Sequence, residues 1–593
     1  MTDTPNALSA AVLNGDAERA RGLTEHALAA GRLPEDILST DLVPAMDIAG
    51  ARFEAREFFL PDLLLAARAM KEALGLLTPL LAARDVPPVG RVVIGTVAGD
   101  LHDIGKNIVA AMLEGGGFAV RDLGYDVQPA AFVTAAREYD ADLVGISALL
   151  TTSMVGMRAV VKEIEGAGLR GAVKVLVGGA PVTREYAAAI GADAYAATAT
   201  AAVRTARALL AGEPVDVGAV VGQEQDAGAP VAPRRSVPSP SVETGPTSRS
   251  TLGAPRSVSA ATPRDLVKQA LGFRGPARLP RQLWLLPWAT KRYPDEVARL
   301  ERDHPSDIVT IPIFCSEPVP GQGNAHAVGT FVDAWGCTFH NLQEGIIGEV
   351  KEPLVTDWSD TSHVRFPWER LAIDAEQIAA YCRDTDRYVL AGTCPRPFER
   401  LQFLRGTENV YLDLARPSAK LRDFLTRLHA FYLEELGLWA ETEVDGLTFM
   451  DDWGSQQAML ISPQSWRELF KPLYADYVAL AHSHGKHAFM HSDGYITDII
   501  PDLIDIGLDA LNSQVFCMGV EELGSRFAGE ITFWGEMDRQ QLLPYADPSQ
   551  ITVAARRLRS AFHRDGGFIA QCEFGPGARP ENVRAFFEAC AEE

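Results

Sequence analysis

The feature that most constrains the fold is an alternation of short β-branched runs with helical patterns between Arg91 and Leu210. The runs predict strands near residues 91–98, 119–125, 143–149, 174–180 and 193–197. Such alternation is typical of a doubly wound, flavodoxin-like parallel sheet with helices on both faces. In sheets of this kind, ligands bind beyond the carboxyl ends of the strands, at the switch point. We therefore expect a site at these strand ends.

The first strand is followed by the loop Gly99–Asn107, with sequence GDLHDIGKN. Asp100 and His102 lie two residues apart, so in an extended loop they point to the same side. A carboxylate beside an imidazole fixes its tautomer and raises its basicity, an arrangement that orients metal-binding histidines. Gly105 lets a bulky group approach the backbone where a helix begins. The pattern predicts a ligating histidine; the alternative is a surface loop with a solvated histidine.

Two further strand ends carry the motifs SAL, at residues 147–149, and VGGA, at residues 177–180. Together with DLHDIG, they resemble the corrinoid-binding domain of methionine synthase and of methanogenic and acetogenic corrinoid proteins. The resemblance implies that His102 is the lower cobalt ligand of a bound cobalamin, with Asp100 and Ser147 as its hydrogen-bond relay. It also implies that two glycines admit the nucleotide tail of the cofactor. The implied cofactor-binding residues are His102, Asp100, Gly105, Ser147, Leu149, Gly178 and Gly179.

Residues 1–87 are nearly all helical in pattern and end before a Pro-Pro pair. The string REFFLP, at residues 56–61, resembles the cap bundle that precedes corrinoid domains, in which aromatic side chains shield the upper face of the cobalt. Packing of Phe58, Phe59 and Leu60 in an ordinary bundle core is the alternative, and both can hold. We expect a helical cap domain at 1–87 and a cobalamin-binding domain at 88–212.

Residues 213–261 are rich in Pro, Ser, Gly, Ala and Arg and have no hydrophobic period. This composition predicts a disordered linker. A flexible coil of roughly 50 residues spans about 35–40 Å, which would let one domain visit several partners. A fusion scar without function is the alternative.

Residues 262–593 contain eight strand-like runs between helical patterns, which predict a (β/α)₈ TIM barrel with its chemistry at the strand ends. Segments such as SPQSWRELFKPLYADYVALAHSHGKHAFMHSDG, at 462–494, and WGEMDRQQLLP, at 534–544, resemble the uroporphyrinogen-decarboxylase-like superfamily. That superfamily contains decarboxylases and corrinoid methyltransferases. The arginine motif of the decarboxylases is absent at residues 279–287. Polar residues at the predicted strand ends are Asp451, Asp452, His491, Asp493, Gln514, Glu536, Cys572 and Glu573.

Methylcobamide:coenzyme M methyltransferases of that superfamily hold zinc with an H-x-C motif and a later cysteine. Here the resemblance implies zinc ligands at His491, Asp493 and Cys572, with Glu536 or Glu573 as the fourth. An aspartate in place of a thiolate donates less charge, so the ion would be a stronger Lewis acid and the methyl acceptor need not be a thiol. A packed strand cysteine is the alternative for Cys572. The candidate catalytic residues are Asp452, Glu536 and Gln514.

Composition limits the function classes. A net charge of −23 and a pI near 5.0 disfavour nucleic acid and anionic membranes as partners. No run approaches about 18 apolar residues and no signal pattern opens the chain, so we expect a cytoplasmic protein. Seven cysteines, all in the second half, are no disulfide framework.

The sequence therefore predicts a corrinoid- and zinc-dependent methyltransferase, with carrier and catalyst in one chain. The resemblance implies a cobalamin that cycles between Co(I) and methylcobalamin, a small-molecule methyl donor or acceptor, and a cap that moves aside for transfer. It also allows a separate methyltransferase or corrinoid-reactivating protein as a partner. The alternatives are a uroporphyrinogen-type decarboxylase and a non-catalytic corrinoid carrier or sensor with a degenerate barrel.

Overall fold

A computed structural model describes residues 5–215 and 261–591. The predicted linker, 213–261, therefore lies almost wholly outside the described residues. Among the helices of the two described ranges, none combines the length and apolar character needed to cross a membrane.

The amino-terminal part is a helical bundle, as the sequence predicts. Its longest helix places Leu63, Ala66 and Met70 on the buried face, which is the spacing of an amphipathic helix. A single π-helical turn, Leu38–Leu42, joins the third and fourth helices. The helices are α1 (Ala7–Leu13), α2 (Ala17–Ala29), α3 (Pro34–Ile37), α4 (Val43–Glu54) and α5 (Leu60–Ala83).

The next part is a five-stranded parallel sheet with strand order 2-1-3-4-5, which confirms the predicted flavodoxin-like fold. One face is covered by α6, α10 and the amino-terminal bundle, and the other by α7, α8 and α9, so the inner strands are buried on both sides. The strands are β1 (Arg91–Thr96), β2 (Ala119–Asp122), β3 (Leu143–Ser147), β4 (Lys174–Gly178) and β5 (Ala194–Ala196). The helices are α6 (Ile104–Gly115), α7 (Pro129–Glu138), α8 (Thr151–Gly166), α9 (Arg184–Ile190) and α10 (Ala199–Leu210).

The second half is an eight-stranded parallel barrel, again as predicted. It begins at a helix that Thr262 and Asp265 cap reciprocally. Its strands run β6-β16-β15-β14-β13-β12-β11-β7, and the backbone N–H of Asp307 donates to the carbonyl of Arg281 where the first and last strands of this order meet. The barrel strands are β6 (Arg281–Leu285), β7 (Ile308–Thr310), β11 (Tyr388–Leu390), β12 (Gly446–Met450), β13 (His487–His491), β14 (Ala510–Asn512), β15 (Thr532–Trp534) and β16 (Phe568–Phe574).

Helices of the barrel half surround these strands, with one 3₁₀ turn at Trp368–Leu371. They are α11 (Pro263–Leu271), α12 (Pro287–Arg292), α13 (Pro294–Asp303), α14 (Ala375–Asp384), α15 (Pro397–Arg405), α16 (Thr407–Ala415), α17 (Ala419–Ala440), α18 (Pro463–Leu469), α19 (Lys471–Ser483), α20 (Ile500–Asp505), α21 (Val515–Met518), α22 (Val520–Phe527), α23 (Leu542–Tyr545), α24 (Pro548–Phe562) and α25 (Pro580–Ala591).

A small antiparallel sheet, which the strand assignment from sequence did not include, projects after the second barrel strand. It consists of β8 (Gly329–Val332), β9 (Thr338–Asn341) and β10 (Glu349–Val350). We call residues 329–351 the barrel hairpin. It packs its Phe339 into the barrel core and reaches the loop that follows β1.

Candidate functional site

The loop after β1 holds His102 as the sequence predicts. Nδ1 of His102 lies 2.7 Å from Oδ1 of Asp100, whose side chain is fully buried. The same carboxylate oxygen accepts the backbone N–H of His102. With Nδ1 donating to this carboxylate, Nε2 is the ring nitrogen left for a metal, as in an oriented ligating histidine.

Asp100 is anchored by the segment that leads into α8. Its Oδ2 accepts the backbone N–H of Leu149 at 2.8 Å, that of Leu150 at 3.2 Å and the hydroxyl of Ser153 at 2.6 Å. The predicted relay serine was therefore wrong: Ser153, in the first turn of α8, makes the contact assigned to Ser147. Ser147 is the last residue of β3, six positions before the serine that contacts Asp100.

The two groups of this pair shift each other's pKa. Burial would raise the pKa of Asp100, but hydrogen bonds from His102 and Ser153 outweigh it and lower the pKa to about 2. Burial would lower the pKa of His102, but hydrogen bonds to Asp100 and Glu349 outweigh it and raise the pKa to about 9. The ring of His102 thus lies between two carboxylates, and both favour its protonated form.

The predicted glycines have different surroundings. A Cβ added at Gly105 would meet no atom within 4 Å, so the backbone there is open to a bulky group. At Gly179, φ is +131° and a Cβ would lie 1.8 Å from the carbonyl oxygen of Ala148. At Gly178 it would lie 3.0 Å from the carbonyl oxygen of Ala196. The neighbouring strand ends themselves therefore account for the Gly-Gly pair.

The barrel hairpin covers the His102 loop. Oε1 of Glu349 lies 2.9 Å from Nε2 of His102. Lys351 Nζ donates to the carbonyl of Leu101, and Gln343 Nε2 donates to the carbonyl of Gly99 at 2.9 Å. The two halves of the chain thus meet at the predicted ligand.

The amino-terminal bundle also touches the barrel. Of the two aromatic residues predicted to shield a cofactor, Phe59 packs with Leu60 against the barrel-side core, whereas Phe58 packs within the bundle. The guanidinium of Arg56 lies 4.5 Å from the ring centre of Tyr495 and donates to the carbonyl of Gln457 at 2.9 Å. The bundle therefore contacts loops at the mouth of the barrel.

That mouth contains a cluster of possible metal ligands, made of Asp452, His491 and Asp493. Nε2 of His491 lies 3.6 Å from Oδ1 of Asp452 and 3.6 Å from Oδ1 of Asp493. These separations exceed normal hydrogen bonds. Two ligand atoms on one tetrahedral zinc, each about 2.1 Å from the ion, lie about 3.4 Å apart. Oδ1 of Asp493 is buried and has no hydrogen-bond partner, so the donor set fits a divalent cation.

His491 is oriented by a residue that the sequence analysis missed. Its Nδ1 lies 2.6 Å from Oδ1 of Asn512, whose amide donates to the carbonyl of Trp534. Because an amide oxygen can only accept, Nδ1 carries the hydrogen and Nε2 faces the two carboxylates. Strand register gives a signal for this pair, since His491 and Asn512 are direct neighbours at the ends of β13 and β14.

Arg539 joins the remaining carboxylates. It contacts Asp493, Glu536 at 3.0 Å and Glu573 at 3.3 Å. Burial, then the charges of Asp493 and Glu573, raise the pKa of Glu536. Burial would lower the pKa of His491, but the surrounding carboxylates raise it. The carboxylates of the mouth therefore raise one another's pKa, and a bound cation would relieve this mutual repulsion.

Cys572 does not join this cluster, which corrects its assignment as a zinc ligand. β16 extends to Phe574, and alternation along it directs Gln571 and Glu573 into the barrel and Cys572 toward the helices. Cys572 is fully buried in the outer core, and burial raises the pKa of its thiol. Gln514, a candidate catalytic residue, accepts a hydrogen bond from Gln456 in the loops of the mouth.

Both halves of the chain are similar to known protein families. Residues 5–78 and 90–206 match family models described as B12 binding domains, and residues 328–593 match the uroporphyrinogen decarboxylase (URO-D) model. The chain is 47% identical over 177 residues to dimethylamine corrinoid protein 3 of Methanosarcina acetivorans, covering 30% of this chain and 83% of that protein. It is 39% identical over 206 residues to a corrinoid protein of Desulfitobacterium hafniense, covering 34% and 95%.

Among solved structures, the methanol:cobalamin methyltransferase complex of Methanosarcina barkeri aligns with 27% identity over 35% of this chain and 80% of that chain, at a TM-score of 0.33. The sequence matches, at 39–47% identity over most of each relative, establish the relationship by themselves. The chain therefore belongs to the corrinoid protein family, with its B12-binding domains followed by a uroporphyrinogen-decarboxylase-like barrel.

Proposed function

We propose that this protein is a corrinoid-dependent methyltransferase that moves a methyl group between a small molecule at the barrel mouth and a cobalamin held at His102. The observation that carries the proposal is the placement of His102: Asp100 fixes its Nδ1, and its Nε2 is directed at the barrel half. Family membership supports a corrinoid as the ligand. A bound corrinoid supplies a cobalt centre that can accept and release a methyl group.

In this proposal the residues around His102 control how strongly it ligates. Asp100 accepts a hydrogen bond from Nδ1–H and leaves Nε2 as the ligating nitrogen, and Ser153 with the backbone of Leu149 holds the carboxylate in place. The open space at Gly105 gives a macrocycle access to the start of α6. In this proposal, residues 1–87 are the cap, residues 88–212 the cobalamin-binding domain and residues 262–593 the methyltransferase barrel.

The barrel would hold zinc through Asp452, His491 and Asp493, leaving one position for a substrate heteroatom. Zinc supplies a Lewis acid there, which either lowers the pKa of a thiol or polarises a leaving heteroatom. Asn512 fixes the tautomer of His491, and Arg539 orients Asp493. Glu536 is buried beside them with a raised pKa, so it is placed to hold a proton near the substrate.

Absorption spectroscopy of the reconstituted protein tests whether His102 is the cobalt ligand. Wild type loaded with hydroxocobalamin should show the absorbance of a histidine-ligated corrinoid, and His102→Ala should not. His340→Ala is a matched control, because His340 is another half-exposed histidine paired with a carboxylate. An unchanged spectrum in His102→Ala would overturn the ligand assignment.

Turnover assays test the barrel. Wild type is offered methylcobalamin with candidate thiols, or Co(I)alamin with methyl ethers, thioethers and methylamines. Turnover in one mixture identifies the direction and the substrate class, and His491→Ala should abolish it while corrinoid binding persists. Failure of every mixture with zinc-loaded protein would favour a non-catalytic carrier.

A further inference from the structure

Glu349 of the barrel hairpin contacts Nε2 of His102, which is the nitrogen that the proposed function assigns to cobalt. Its Oε1 lies 2.9 Å from Nε2 of His102, and its side chain is 28% exposed. The contact joins two parts of the chain that the sequence places far apart. It is therefore a feature of how the barrel docks on the corrinoid-binding half.

The position of Glu349 is fixed by its neighbour. Lys351 Nζ lies 2.7 Å from Oε2 of Glu349 and 3.3 Å from Oδ1 of Asp103, and its side chain is only 15% exposed. The same ammonium donates to the carbonyl of Leu101 and lies 4.3 Å from the ring centre of Tyr125. Lys351 thus ties the hairpin to both sides of His102 and holds the carboxylate against the ring.

Gln343 makes a second attachment of the hairpin to the same loop. Its Nε2 donates to the carbonyl of Gly99, and its Oε1 accepts the hydroxyl of Thr152 at 2.7 Å. The contacts are hydrogen bonds and ion pairs at partly exposed positions, which water can replace. The hairpin can therefore separate from the His102 loop and bind it again.

Nε2 of His102 has room for one partner on its outward side. An ion coordinated by Nε2 would take the place that Oε1 of Glu349 holds, 2.9 Å from that nitrogen. Coordination therefore requires the Glu349 contact to break. The Glu349 contact and ligation of cobalt exclude each other.

We propose that Glu349 is a displaceable cover for His102. It closes the cofactor-free site, and the barrel hairpin must withdraw it when a corrinoid enters. The proposal rests on the proposed function, because it takes His102 as the ligand. Loading is then slowed by the barrel hairpin of the same chain.

The test follows corrinoid uptake by cofactor-free, full-length protein. Wild type, Glu349→Gln and Glu349→Ala are mixed with hydroxocobalamin, and the visible absorbance of the histidine-ligated form is recorded with time. Glu352→Gln is the matched control, because Glu352 lies next to the hairpin and pairs with His340 at 2.8 Å on an exposed surface. Circular dichroism confirms that each variant is folded.

We expect both Glu349 variants to load about tenfold faster than wild type, as removal of a charge-assisted hydrogen bond predicts, and Glu352→Gln to load at the wild-type rate. Equal rates in all four proteins would overturn the proposal while leaving His102 as the ligand. Absence of the histidine-ligated spectrum in wild type would instead overturn the proposed function, and this inference with it.

Hydrogen exchange of wild type provides a second readout. Backbone exchange in peptides from residues 338–351 should increase when the corrinoid is loaded, because the hairpin loses its contacts with Gly99 and Leu101. Unchanged protection of these peptides after loading would show that the hairpin does not withdraw, and would overturn the proposal even if the uptake rates differ.

Discussion

The serine that supports Asp100 can be identified by a double-mutant cycle. Ser153→Ala removes a 2.6 Å hydrogen bond to a carboxylate with no exposed surface, a contact worth about 1.5–3 kcal/mol. Because Leu149 and Leu150 still donate to the same oxygen, the charge keeps partners and the loss should be near the lower end, about 1.5 kcal/mol. That is roughly a tenfold change in the local opening equilibrium.

The measurement combines Ser153→Ala with Asp100→Asn and determines how far their effects depart from additivity. Global unfolding of a chain with several domains is not two-state, so hydrogen exchange is measured on peptides from residues 91–103 and 143–155 of the cofactor-free protein. Ser147→Ala is the matched control, and its coupling to Asp100→Asn should stay below about 0.5 kcal/mol. The reasoning is refuted if Ser147 couples more strongly than Ser153, or if neither couples.

Other perturbations separate the two sites. Asp452→Asn should lower the zinc content measured by plasma mass spectrometry, whereas Cys572→Ser should leave it at the wild-type level; the reverse would restore the cysteine as a ligand. Gly179→Ala should destabilise the sheet by about 3 kcal/mol or more, measured by hydrogen exchange of peptides from its strands, because the added Cβ meets the carbonyl of Ala148 at positive φ; a loss below about 1 kcal/mol would contradict this geometry. In cofactor-free protein the ring of His102 should titrate near pH 9 by NMR, so its stabilising contribution is complete below about pH 6.5 and is lost as the pH rises toward 9; titration near 6.5 would contradict the contacts with the two carboxylates.

Local rules predicted the fold and much of the site. Alternation of strand and helix patterns fixed both sheets, and the two-residue spacing of Asp100 and His102 gave the 2.7 Å contact that the structure has. The same spacing rule placed His491 beside Asp493. These features depend on neighbours in sequence, so periodicity is enough to predict them.

The wrong predictions concern residues near the end of a strand, and the missed residues make contacts that are distant in sequence. Cys572 is predicted at a strand end, but β16 continues to Phe574 and directs this cysteine toward the helices. Ser147 ended a strand as expected, but the hydroxyl that reaches Asp100 belongs to the next helix. Glu349 and Lys351 could not be found in this way, since the Lys351–Leu101 contact spans 250 positions.

The contacts between the two halves are of two kinds, which decides how the chain should open. On one side, Leu60 and Leu64 of the bundle are buried in the barrel-side core and Phe59 packs against it, and apolar burial of this kind resists separation. On the other side, the hairpin meets the His102 loop through hydrogen bonds and ion pairs that water can replace. Opening therefore costs least at the hairpin, so α5 and α16 should act as the hinge and the His102 side as the moving edge. The cleft that opens lies between the predicted cobalt ligand and the barrel mouth, which is where a methyl group would have to pass.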